Sequence, residues 1–192
     1  MRLFVAIVPP AGVLAALAAA VEPLRTVAPD LRWASASSWH LTLAFLGEVD
    51  ERILPELSTR LERAARRHPP QVLSIAGGGA FPVASRARVL WAGIRADNRA
   101  LRPLAGSVAA GARRAGAPPP DETRKYSPHL TLARCRQPAD VSTLTAALAG
   151  FTSAAWTADS VRLIRSYPGS GPPQYDDVAA WPLLARAPLP RS

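Results

Sequence analysis

Trp39-His40-Leu41-Thr42-Leu43-Ala44-Phe45-Leu46-Gly47 has a second form later in the chain, Pro128-His129-Leu130-Thr131-Leu132-Ala133-Arg134. Both stretches alternate apolar and polar residues, the period of a strand with one buried face. His40, Thr42 and Ala44 are expected on one side of the first strand, with Leu41, Leu43 and Phe45 on the other, and Gly47 closes it. By the same period His129 and Thr131 stand side by side while Leu130 and Leu132 turn into a core.

The segments upstream of the two motifs share one order of elements. Leu3 to Val8 reads as a strand, ended by Pro9-Pro10, which set up a helix start at about Ala11. Val13, Leu14, Leu17 and Val21 then recur at helical spacing, and Leu31-Arg32-Trp33 forms a short strand or loop before His40. In the second half Val89 to Ile94 is a strand, and a helical pattern begins at Asp97 and runs through Leu101, Leu104 and Val108. Pro118-Pro119-Pro120 marks a loop before the strand from His129 to Arg134. Ile7 to His40 spans 33 positions (40 − 7) and Ile94 to His129 spans 35 (129 − 94), as a duplicated strand-helix-strand unit would. Elsewhere a helix is expected over Glu51 to Arg67 and another over Val141 to Leu148. Strands are expected at Val72 to Ala76, Val161 to Arg165 and Asp177 to Trp181, with Gly77-Gly78-Gly79 as a turn or bulge.

The 192 residues carry a net charge of +9, with 23 basic against 14 acidic side chains, which favours an anionic partner and nucleic acid first. Lys125 is the sole lysine, so an arginine-rich coding bias would produce the same surplus. A single cysteine, Cys135, excludes an intramolecular disulfide and fits a reducing, cytoplasmic setting. The N-terminal run has the outline of a secretory signal, with small residues around Ala18 and Ala20. Pro9-Pro10 interrupts it, and the repeat explains it as a first strand. No stretch reaches the ~20 apolar residues of a membrane span, so no membrane partner is expected, and the chain is read as a monomer.

If the repeated units face each other about a pseudo-twofold axis, His40, Thr42, His129 and Thr131 meet in one cleft. Two imidazoles can serve as base and acid in attack on a phosphodiester, and hydroxyls can hold its nonbridging oxygens. Arg134, three residues beyond Thr131, supplies a planar cation matched to a phosphate, whereas Phe45 stands at the equivalent place of the first motif. Symmetry alone does not say which histidine is the acid. A lone His-x-Thr on a strand is ordinarily structural; two in register within a repeat are not so easily dismissed. His68 reads as a favourable charge at a helix C-terminus. Cys135 lies on the face opposite its neighbour Arg134, which argues against a nucleophile, and no metal-ligand spacing joins the histidines, so no metal or cofactor is expected.

Trp39 to Val49 and Tyr126 to Arg134 resemble the two signature motifs of the two-histidine phosphoesterases, and within them the RNA 2′,3′-cyclic phosphodiesterases once described as 2′-5′ RNA ligases. Met1 to Ile7, Leu31-Arg32-Trp33, Ala80-Phe81-Pro82, Arg88 to Trp91 and Arg165-Ser166 are similar too. The resemblance implies one domain over residues 1–192 with an α+β, bilobal, duplicated fold. Two intertwined pseudosymmetric lobes, each with one motif, would turn mainly antiparallel sheets toward a central basic cleft and carry helices outside. It implies hydrolysis of RNA 2′,3′-cyclic phosphate ends to 2′-phosphates without metal. His40 would then be the acid toward the 3′ oxygen and His129 the base, while Thr42, Thr131 and Arg134 bind the phosphate. Ligation, another cyclic-nucleotide substrate, and a noncatalytic RNA-binding module using Trp33, Trp39 and Tyr126 as stacking surfaces stand as alternatives. Tyr167-Pro168 stands where the family usually has an acidic residue, which puts the loop near Tyr175 in doubt.

Overall fold

The computed structural model of the chain describes residues 1–96, 101–119, 126–167, 169 and 174–184; Asp97, Pro120, Lys125 and Pro168 lie outside the described residues. Strand β1 (Arg2–Ile7) ends at the proline pair, and the Pro10 carbonyl accepts from the Val13 and Leu14 amides to start α1 (Ala11–Val27). Val13, Leu17, Val21 and Leu24 form its buried stripe. There follow β2 (Arg32–Trp33), β3 (Leu41–Glu48) and α2 (Leu54–Ala65), the last entered through a 3-10 turn at Glu51–Ile53 that the Asp50 side chain caps. The second half runs β4 (Gln71–Phe81), β5 (Ala87–Ala96), α3 (Leu101–Arg114), β6 (His129–Ala139), α4 (Ser142–Leu148), β7 (Trp156–Ala158), β8 (Ser160–Tyr167) and β9 (Gln174–Pro182).

The fold is α+β. Its described strands make two sheets, β3-β1-β8-β9 and β2-β6-β5-β4-β7, and all the described pairings are antiparallel. The two repeats occupy matching places, with β1 and β3 adjacent in one sheet and β5 and β6 adjacent in the other. They exchange strands: β2, from the first repeat, pairs with β6, and β8-β9, from the chain's end, complete the sheet that β1 began. Ile7 pairs with Leu41 and Ala92 with Leu130, so the counterpart of Ile7 is Ala92, two residues from the Ile94 that equal spacing selects. Leu3, Val5 and Ile7 of β1, Leu90 and Ala92 of β5, and Val161 and Leu163 of β8 join Leu17, Leu57, Leu61, Leu104 and Val108 of the helices in one core. Among the described residues no helix is long and apolar enough to cross a membrane.

Strict alternation fails at the same point in both motifs. Val5 pairs with Ala44 and Ala6 with Thr42, leaving Leu43 as an extra residue; Leu90 pairs with Ala133 and Trp91 with Thr131, leaving Leu132 extra. Such a bulge puts two successive residues on one side and reverses the faces beyond it. Ala44 is therefore buried and Phe45 is 52% exposed, the opposite of the plain period-two expectation. Ala133 is likewise buried and Arg134 exposed. Without the bulge Arg134 would point away from His129 and Thr131; with it, all three share a face.

Candidate active site

Residues paired across an antiparallel ladder share a face. On the side of the first sheet away from the main core, Thr42 faces Ala6, Phe45 faces Phe4, and Phe4 in turn faces Ile164. Phe4, Ala6 and Ile164 form a second apolar cluster under Tyr175. His40, which immediately precedes β3, stacks on Phe4 with ring centroids 4.5 Å apart and an interplanar angle of 27°. Tyr175 meets both rings edge-on, at 5.4 Å from each. Burial among these rings lowers the His40 pKa from 6.5 to about 4; a hydrogen bond to the Ser38 backbone opposes the shift, and the charge of His129 adds to it. The two imidazoles thus sense each other.

The second sheet mirrors this. His129 Nδ1 lies 2.7 Å from the Ser127 carbonyl, so each histidine is tied to the backbone two residues before it. A carbonyl only accepts, which places the proton on Nδ1 and, in the neutral ring, the basic lone pair on Nε2. Phe81 meets the His129 ring edge-on at 5.0 Å, and Trp91, opposite Thr131, lies at 6.2 Å. The glycine run makes room for this packing. Strand β4 continues through it, with a bulge between Ile75 and Gly78, so the bulge reading holds and the turn reading does not. A Cβ on Gly78 would stand 2.6 Å from Leu148 of α4, and one on Gly79 would collide with the Trp91 indole.

Arg134 is opposite Val89 on one side and Arg32 on the other. Its charge reaches across to Tyr175, whose hydroxyl is raised by burial and pulled back by Arg134 and then Arg2. Tyr175 therefore touches His40 of one motif and feels the charge of Arg134 of the other. Of the sequence-named residues, His40 and Thr42 sit on one sheet and His129, Thr131 and Arg134 on the other. Phe4, Phe81, Trp91 and Tyr175 were not anticipated as their neighbours; for Phe4 the signal was its place on the face opposite Leu3, Val5 and Ile7.

Several other readings change. Trp39 is 1% exposed and belongs to the core, the Tyr126 hydroxyl is buried, and the Trp33 indole donates to the Ala28 carbonyl, so these rings do not form an open stacking surface. His68 Nε2 sits 2.8 Å from Ser107 Oγ of α3, which makes it a clip between elements rather than only a helix-end charge. Burial pushes the Cys135 thiol up, against its activation as a nucleophile. Among the described residues no three His, Cys, Asp or Glu side chains gather as metal ligands.

A model of the 2′-5′ RNA ligase superfamily matches residues 13–169. An RNA 2′,3′-cyclic phosphodiesterase of Thermus thermophilus is 35% identical over 145 residues, covering 72% of this chain and 71% of that protein. One from Escherichia coli is 37% identical over 103 residues, 52% of this chain and 53% of its own. The chain spans about half the length of most curated relatives it matches, for example 55% of the Aquifex aeolicus protein. Among solved structures, TT0787 of Thermus thermophilus superposes with a TM-score of 0.78 at 28% identity, covering 97% of this chain and 100% of that one. Escherichia coli LigT complexed with 3′-AMP gives 0.73 at 28% identity, covering 95% and 97%.

Proposed function

The chain belongs to the 2′-5′ RNA ligase superfamily, and from that we propose that it hydrolyses the 2′,3′-cyclic phosphate at an RNA end to a 2′-phosphomonoester, with His40 and His129 as its acid and base. The carrying observation is the matched bulge in the two motif strands, which sets Arg134 on the His129-Thr131 face. Water attacks phosphorus opposite the 3′ oxygen; His129 Nε2 takes its proton, and protonated His40 gives one to the leaving 3′ oxygen as the P–O bond breaks. Thr42, Thr131 and Arg134 hold the nonbridging oxygens. The two lobes act as one catalytic domain in a cytoplasmic monomer.

The depressed pKa of His40 belongs to the protein alone. A phosphate anion beside the ring restores the proton that the acid needs, so substrate binding charges the catalyst. With the 5′-hydroxyl of another RNA in place of water, the same groups would form a 2′-5′ linkage, which favours ligation as the second reading given the superfamily's description. Incubation with cyclic-ended RNA in the presence of chelator, with and without a 5′-hydroxyl acceptor, tests both. A 2′-phosphate product is expected; a 3′-phosphate would overturn the assignment of the leaving oxygen.

A further inference from the structure

Two arginines from different repeats stand directly opposite each other in the ladder, Arg32 on β2 and Arg134 on β6. Like charges at directly opposed positions destabilise a sheet. Four arginines elsewhere are paired, Arg52 with Asp50, Arg60 with Glu56, Arg66 with Glu62 and Arg162 with Asp177. Neither Arg32 nor Arg134 has a carboxylate partner among the described residues. The strand that brings Arg32 there is two residues long and belongs to the other repeat, yet it is firmly held. The Ala34 amide donates to the Leu132 carbonyl at 2.8 Å, the Trp33 indole to Ala28 at 2.9 Å, and Arg25 to the Ala34 carbonyl at 2.7 Å while lying over the Trp33 ring. Two uncompensated guanidinium groups set side by side on a fixed backbone offer paired, charged donors to an anion.

One anion does not account for both arginines. A cyclic phosphate carries a single charge and two nonbridging oxygens, which Arg134, Thr42 and Thr131 already serve in the reading above. Arg32 lies one strand further toward the sheet edge, about 4.8 Å out from β6 and on the side away from Trp91. On the proposed hydrolysis of RNA ends, on which this inference rests, we propose that Arg32 takes the internucleotide phosphate preceding the reacting one. The site then distinguishes the end of a strand from a free mononucleotide, and Arg32 is the specificity-determining residue.

The test compares kcat/KM for a cyclic-ended oligoribonucleotide and for a mononucleoside 2′,3′-cyclic phosphate, in wild type, Arg32→Ala and Arg32→Gln, with thermal unfolding to establish that each variant is folded. Loss of a charged hydrogen bond predicts a fall of about tenfold or more on the oligonucleotide. The mononucleotide rate is expected within about twofold of wild type, because hydrogen bonds it never makes are not lost. The log-log salt slope of oligonucleotide binding is expected to shrink by about 0.7, one single-strand phosphate. Equal losses on both substrates, or no loss on either, overturn the proposal. A wild type that turns over neither substrate instead refutes the hydrolase reading itself.

Discussion

Filling the cleft with a phosphate anion should transform the titration of His40. In the protein alone its pKa lies at about 4, which leaves roughly one ring in a thousand protonated at pH 7. A monoanion about 4 Å from the ring, at an effective dielectric constant of about 20, contributes about 4 kcal/mol. That is roughly a thousandfold in proton affinity, enough to bring the His40 midpoint to about pH 7. The relevant assay follows the His40 ring protons by NMR through a pH titration, alone and with saturating 3′-nucleotide. The midpoint should begin far below the ordinary histidine value and climb by two or more pH units with ligand. His129→Ala should raise it in the free protein, because the charge of His129 contributes to the depression. A free-protein midpoint near 6.5, or one unmoved by ligand, would refute the claim that Phe4, Tyr175 and His129 hold the acid neutral until phosphate arrives.

The same depression predicts a stability effect. The folded pKa of about 4 lies below the ordinary 6.5, so between them the unfolded chain binds more protons and stability falls as pH drops through that window. The contribution, complete above about pH 6.5, should lose about 2 kcal/mol by pH 5, and His40→Ala should flatten it in urea titrations at pH 7 and 5; an unchanged slope would locate the loss elsewhere. Replacing Gly79 by Ala, ordinarily neutral or favourable within a strand, should here displace the Trp91 indole and cost about 1–3 kcal/mol by overpacking, seen as a lower melting temperature, with His129 losing its neighbour and turnover falling as well. A Gly79→Ala protein as stable as wild type would show that the indole does not depend on that space.

The paired motifs were legible because each repeats the same residue types after the same order of elements, and Leu57-Leu61 or Leu104-Val108 declare their helices by spacing alone. The bulges were not. Leu43 and Leu132 look like ordinary inward residues, and only the register against β1 and β5 shows each to be the extra one. The period of their own strands therefore put Phe45 on the wrong face and would have turned Arg134 away from His129 and Thr131. The resemblance implied intertwined lobes, but which strand crosses was equally hidden, because Arg32-Trp33 is too short to carry a pattern and its partner is set by tertiary packing. The glycine triplet invited a turn or a bulge because the local signal is conformational freedom, whereas at Gly78 and Gly79 the decisive fact is what approaches from outside, Leu148 on one side and Trp91 on the other. Trp39 sat beside a catalytic candidate and read as a possible stacking surface, but the strand entry at Leu41 turns it into the core.

Steady-state hydrolysis of a 2′,3′-cyclic-ended oligoribonucleotide, with chelator present, in wild type, His40→Ala, His129→Ala and the double variant, addresses the central claim most directly. Each single variant should lose about 10²-fold or more in turnover, and the double variant should be little worse than the poorer single one, because the two groups act as a unit. Turnover by the double variant at the wild-type rate would contradict the account.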